Sequence, residues 1–63
     1  MRYKIREQRQ ASGMSQSELA ERSQVSRTII SGLESGNIKV TTTETLLKIA
    51  GALKCKVQDI FLE

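Results

Sequence analysis

The chain contains no histidine, no proline and no tryptophan, and only one cysteine, one tyrosine and one phenylalanine. Without histidine, and with a single cysteine, no metal site of ordinary ligand spacing can be assembled, and no cofactor is expected. The same shortage removes Cys–His and Ser–His catalytic pairs. The carboxylates are scattered, with no partner or pocket to make them an acid–base couple, so an enzyme is not expected. One Tyr and one Phe cannot supply the aromatic platforms on which single-stranded bases stack. No apolar run approaches the length of a membrane span, and the opening MRYKIREQRQ is too polar for a signal peptide. A soluble cytoplasmic protein without membrane contact is therefore expected. The lack of proline and of alternating β-branched residues favours an all-α chain. At 63 residues it is read as one domain, 1–63, close to the smallest size that folds without disulfides, metal or a partner.

The formal net charge of +3 is compatible with nucleic acid without demanding it. Its distribution is more informative: Arg2, Lys4, Arg6 and Arg9 crowd the first helix, opposed by Glu7. With so few aromatics, duplex DNA is the nucleic acid this charge suits.

The chain is organised around 15–36, SQSELAERSQVSRTIISGLESG. Ser15 and Glu18 have capping-box spacing, and Met14 and Leu19 flank them at the positions of a hydrophobic staple. Ser26 can cap a second helix, where Val25 and Ile30 repeat the staple. Caps eleven residues apart leave room for about two helical turns and a sharp corner. Ala20 is small where the first of these helices presses on the second, and Val25, Ile30 and Leu33 supply apolar contact. The pattern is a helix-turn-helix, with helices over about 16–23 and 27–35; the second commonly enters a DNA major groove. Gln24 falls at the corner, where a left-handed backbone is often needed. Gln16, at a helix start, suits a phosphate. Arg27 at the start of the next helix can read guanine O6 and N7 bidentately, and Thr28 and Ser31 share its face with Gly32. Asn37 and Lys39, in the following loop, are available to the phosphate backbone. The bland reading is an ordinary polar helix face for Arg27, Thr28 and Ser31, and simple exposure for Gln16.

The first helix is expected over Tyr3–Ser12 with Gly13 as its stop. From spacing alone Arg9 reads as a solvated surface arginine. After the loop, Thr41 with Glu44 has capping-box spacing and Thr42 is a second candidate cap. Leu46, Leu47, Ile49, Ala50 and Leu53 form a core stripe, interrupted by Gly51. A last short helix starts near Val57. Cys55 reads as a small buried hydrophobe. Ile60, Phe61 and Leu62 are an apolar group that partly closes the core, the remainder being an exposed patch unless a second subunit covers it.

The motifs GMSQSELAERSQVSRTIISGLESGN and TETLLKIAGAL resemble the Xre/Cro-type helix-turn-helix family of phage and bacterial repressors over nearly the whole chain. The resemblance implies a five-helix, lambda-repressor-like fold. It implies that Gln16 is the family's phosphate-contacting glutamine, that Arg27, Thr28 and Ser31 read bases or face the groove, and that Ser26, Asn37 and Lys39 contact the DNA backbone. It also makes Arg9 and Glu34 a buried ion pair, replacing the surface reading of Arg9. Three positions depart from the pattern. Gly32 stands where a long polar side chain is usual, leaving one base-reading position empty. Gln24 replaces the usual turn glycine, and Lys56 replaces the serine that often caps the last helix.

The function expected is a sequence-specific duplex-DNA-binding regulator, a repressor acting as a homodimer on a palindromic operator, with the interface at Ile60, Phe61 and Leu62. A small-molecule ligand is not expected. The alternatives are an antitoxin-type autorepressor that also binds a toxin, and a protein-interaction module that no longer binds DNA.

Overall fold

A computed structural model describes residues 3–61, which form five α-helices. These are α1 (Ile5–Ala11), α2 (Gln16–Ser23), α3 (Arg27–Ser35), α4 (Thr43–Leu53) and α5 (Val57–Ile60). Arg2 and Leu62, assigned above to the basic first helix and to the dimer interface, lie outside the described residues.

Side-chain caps fix the central helices. Ser15 Oγ accepts the Glu18 N–H at 3.0 Å, and Ser26 Oγ accepts the Ile29 N–H at 3.2 Å. Each cap satisfies one of the backbone donors that a helix start leaves unpaired. The carboxylate of Glu18 accepts from Arg22 one turn on, at 2.9 Å. Between the helices Gln24 adopts the left-handed conformation (φ 59°, ψ 30°). That geometry costs a non-glycine residue about 1 kcal/mol. Ser23 holds the corner, donating to Leu19 O at 2.7 Å and accepting the Val25 N–H at 3.3 Å.

α2 packs against α3 and α4, while α1 crosses α3, α4 and α5 and closes the bundle. Ile5, Leu19, Ile30, Leu33, Ile49 and Ile60 are fully enclosed; Val25, Leu46, Ala50 and Leu53 complete the core. Met14, Ala20 and Cys55 pack on it from partly buried positions.

Several expectations are corrected. α1 is shorter than Tyr3–Ser12, because the Lys4 N–H is drawn to Ile60 O at 2.8 Å and the chain before Ile5 runs to α5. Gly13, at φ +73°, follows the helix as its stop. α4 is capped by Thr42, not Thr41: Thr42 Oγ1 accepts the Thr45 N–H at 3.1 Å and donates to the Thr45 hydroxyl at 2.9 Å. Leu47 is 56% exposed and leaves the core stripe, since it lies about 100° around the helix from Leu46 while 46, 49, 50 and 53 keep one face. Ile60 is fully enclosed, packed into the core by α5, so it has no surface to offer a second subunit. Lys56 stands at the start of α5 without a side-chain cap; Asp59 accepts its N–H at 2.9 Å instead.

Candidate nucleic-acid interface

The cap at Ser26 sets the phase of α3, which has an inward stripe of Ile30, Leu33 and Glu34 and an outward one of Arg27, Thr28 and Ser31. Arg27 occupies the first helical position, and no acidic residue offsets it in that turn. A cation there is opposed by the positive end of the helix dipole, a small cost to folding. Thr28 and Ser31 are exposed beside it.

Gln16 opens α2 next to this face, and the loop after α3 returns across its end. Gln16, Arg27, Thr28, Ser31, Gly32, Asn37 and Ile38 line one open depression of about 470 Å³. The fold thus brings together three candidate base-reading residues and two of the candidate backbone contacts. Ser26 and Lys39 are exposed outside that lining. The hydroxyl oxygen of Ser26 accepts the cap bond, which leaves its proton for donation. Lys39 is held through its carbonyl, which accepts Tyr3 Oη–H at 3.3 Å.

Behind the depression lies a charged network built on Glu34, which is 1% exposed. Arg9 grips its carboxylate with a fork, Nε–H to Oε2 at 2.7 Å and Nη2–H to Oε1 at 3.1 Å, and gives Nη1–H to Met14 O at 2.8 Å. Gln16 Nε2 donates to Oε1 at 3.1 Å, and Arg6 Nε approaches the same oxygen at 3.4 Å. Burial by itself pushes the Glu34 carboxyl up; the hydrogen bonds from Arg9, Gln16 and Arg6 and the charge of Arg9 outweigh it and hold the group below its ordinary value. The Glu34 hydrogen bond raises Arg9 against the effect of burial. Gln16 is therefore anchored by one amide proton, and that bond leaves its second proton and its oxygen unused. The sequence reading missed Arg6 as a third side chain on Glu34; its signal was the i, i+3 spacing from Arg9.

Gly32 requires a further correction. Its place on the outward face is not empty: it is buried, and Ile38 lies over it. The Ile38 N–H donates to Gly32 O at 3.0 Å, and Cγ1 and Cδ1 of Ile38 stand 2.5 Å from where a β-carbon on Gly32 would be. Ile38 was assigned no role from sequence, although it is one of two apolar residues, with Val40, in an otherwise polar loop.

Away from this face, Cys55 is partly buried and its thiol is pushed up by burial and by the charge of Asp59, the opposite of what a nucleophile needs. No helix among the described residues is long and apolar enough to cross a membrane.

A helix-turn-helix family model matches residues 5–60, and the chain belongs to this Xre/Cro-like family. The family is one of DNA-binding transcription regulators and not of enzymes, and the protein is a DNA-binding transcription regulator. Double-stranded DNA is its partner. Comparison with curated proteins found no match.

Proposed function

We propose that the protein is a sequence-specific repressor that binds a palindromic operator as a homodimer, with α3 as the recognition helix in the major groove. The observation that carries this reading is the shared depression, in which exposed Arg27, Thr28 and Ser31 meet Gln16 and Asn37. Arg27 reads a guanine edge; Thr28 and Ser31 contact neighbouring bases. Gln16, Ser26, Asn37 and Lys39 contact phosphates on either side and set the register. The Arg9–Glu34 pair does not touch DNA in this scheme; it locks α1 to α3 and steadies Gln16.

One recognition helix covers only a few base pairs, so a two-fold dimer on half-sites about 34 Å apart supplies the missing specificity. Phe61, 52% exposed at the end of α5, supports an interface there. Repression follows from occupying promoter DNA.

Fluorescence anisotropy on duplex DNA from the gene's own upstream region, with random duplex beside it and salt varied, tests the reading. Salt-sensitive binding that prefers the upstream DNA by at least about a thousandfold is expected. Equal and weak binding to that DNA, to random duplex and to any sequence selected from a random library would overturn it.

A further inference from the structure

We propose that Ile38 is a specificity-determining residue, which packs against the C5-methyl group of a pyrimidine from the place that Gly32 leaves vacant on the recognition helix. The proposal rests on the reading of α3 as a major-groove helix and adds to it the group that this part of the site reads.

Position 32 lies one turn after Thr28 and next to Ser31, on the outward face of α3. A side chain there would project toward the groove. Gly32 has none, and the three atoms nearest its missing β-carbon all belong to Ile38. The chain is brought back by Gly36 in the left-handed conformation, at φ +89°, and fastened by the Ile38 N–H to Gly32 O bond at 3.0 Å. A loop residue thereby stands in for a helix residue.

Ile38 is not consumed by the core that it touches. It is partly exposed and lines the depression with Arg27, Thr28 and Ser31. Apart from Gly32, the other lining side chains are polar, so Ile38 is the apolar floor of a polar site. Ile29, the exposed apolar residue of α3, does not line it. In the major groove the apolar feature of a base edge is the C5-methyl of thymine, or of a methylated cytosine. A side chain already held by backbone and core gives up little freedom on meeting it, so the contact is retained as net affinity.

The test starts from duplexes selected by the full chain out of a random library. Each thymine is then replaced by deoxyuridine, which removes only the methyl group, and in parallel each cytosine by 5-methylcytosine. Binding is compared for the wild type, Ile38→Ala and Ile38→Val. We expect one thymine per half-site whose replacement weakens wild-type binding about fourfold or more, with the ratio falling to about one in Ile38→Ala. Ile38→Val keeps the β-branch and guards against loss of folding in the alanine variant; it should give an intermediate ratio. A 5-methylcytosine that strengthens binding by the wild type and not by Ile38→Ala would equally support the contact, with methylated cytosine as its source. No methyl-sensitive position in selected DNA, or equal sensitivity in all three proteins, overturns the role of Ile38 and leaves the proposed function standing. Failure to select any sequence overturns both.

Discussion

Arg9 of α1 and Glu34 of α3 meet through two side-by-side hydrogen bonds of 2.7 and 3.1 Å, with the carboxylate fully shielded from water. Removing one partner strands the other, because a desolvated charge has no substitute for its lost ligand. Glu34→Gln should therefore destabilise the fold by about 3–5 kcal/mol at neutral pH. The sign of the pH dependence follows from the lowered Glu34 pKa. The stabilisation is present above the ordinary carboxyl value of 4.5 and is lost as pH falls through the lower folded value. The gap between wild type and variant should close over that range. Thermal melts followed by circular dichroism, with the same stabilising osmolyte throughout, read both effects. A gap that stays constant with pH would refute the assignment.

Arg27 makes opposite predictions for folding and binding. It sits at the unfavourable end of the α3 dipole, so Arg27→Ala should leave stability unchanged or raise it by a few tenths of a kcal/mol. Specific DNA binding should lose about 1–3 kcal/mol, with preference relaxed at one base position. Equal losses on selected and random duplex would remove Arg27 from base reading.

Lys39 should behave differently, because a phosphate contact carries no sequence information. Lys39→Ala is expected to weaken all duplexes alike and to lower the slope of log affinity against log salt by about one. An unchanged slope would strike Lys39 from the backbone contacts.

Phe61 is about half exposed, its ring 5.8 Å from that of Tyr3. Phe61→Ser should shift the chain from dimer to monomer in sedimentation equilibrium and weaken operator binding more than random binding. Loss of the Tyr3 contact costs about 0.5–1.5 kcal/mol of stability, in addition to the apolar burial that the half-buried ring gives up. A wild type that is monomeric both free and on DNA would refute the dimer.

What could be read from the sequence was local. The bounds of α2 and α3 follow from Ser15 and Ser26, whose hydroxyls act on backbone three residues away. The left-handed turn at Gln24 and the positions of Arg27, Thr28 and Ser31 come from the same spacing. Contacts between distant residues were not legible in that way. Spacing made Arg9 a surface residue, and only the family pattern paired it with Glu34, 25 positions away. The apolar end was unresolved between core and surface: Ile60 is wholly core while its neighbour Phe61 is half exposed, a division made by the docking of α5. The outward face of α3, taken from the helix alone, has an empty place at Gly32, and helical spacing holds no sign that Ile38 returns from the loop to fill it.

That return makes two helical glycines respond oppositely to one substitution. Gly51 is exposed in α4, and a β-carbon there meets nothing within 4 Å. Gly51→Ala gains helix propensity alone and should stabilise by up to about 1 kcal/mol. In a domain of this size that is about 4–8 °C in Tm. Gly32→Ala brings the same gain but drives a methyl into Ile38, whose Cγ1 and Cδ1 lie 2.5 Å away. Overpacking of this kind costs about 1–3 kcal/mol, so it outweighs the propensity term and the variant should melt below the wild type. The two residues should be coupled: in an Ile38→Ala background the obstruction is gone, and Gly32→Ala should become stabilising. A double-mutant cycle of melting curves measures that change of sign. Additive effects at 32 and 38 would mean that Ile38 does not rest on the recognition helix in solution, and the methyl-reading surface would go with it.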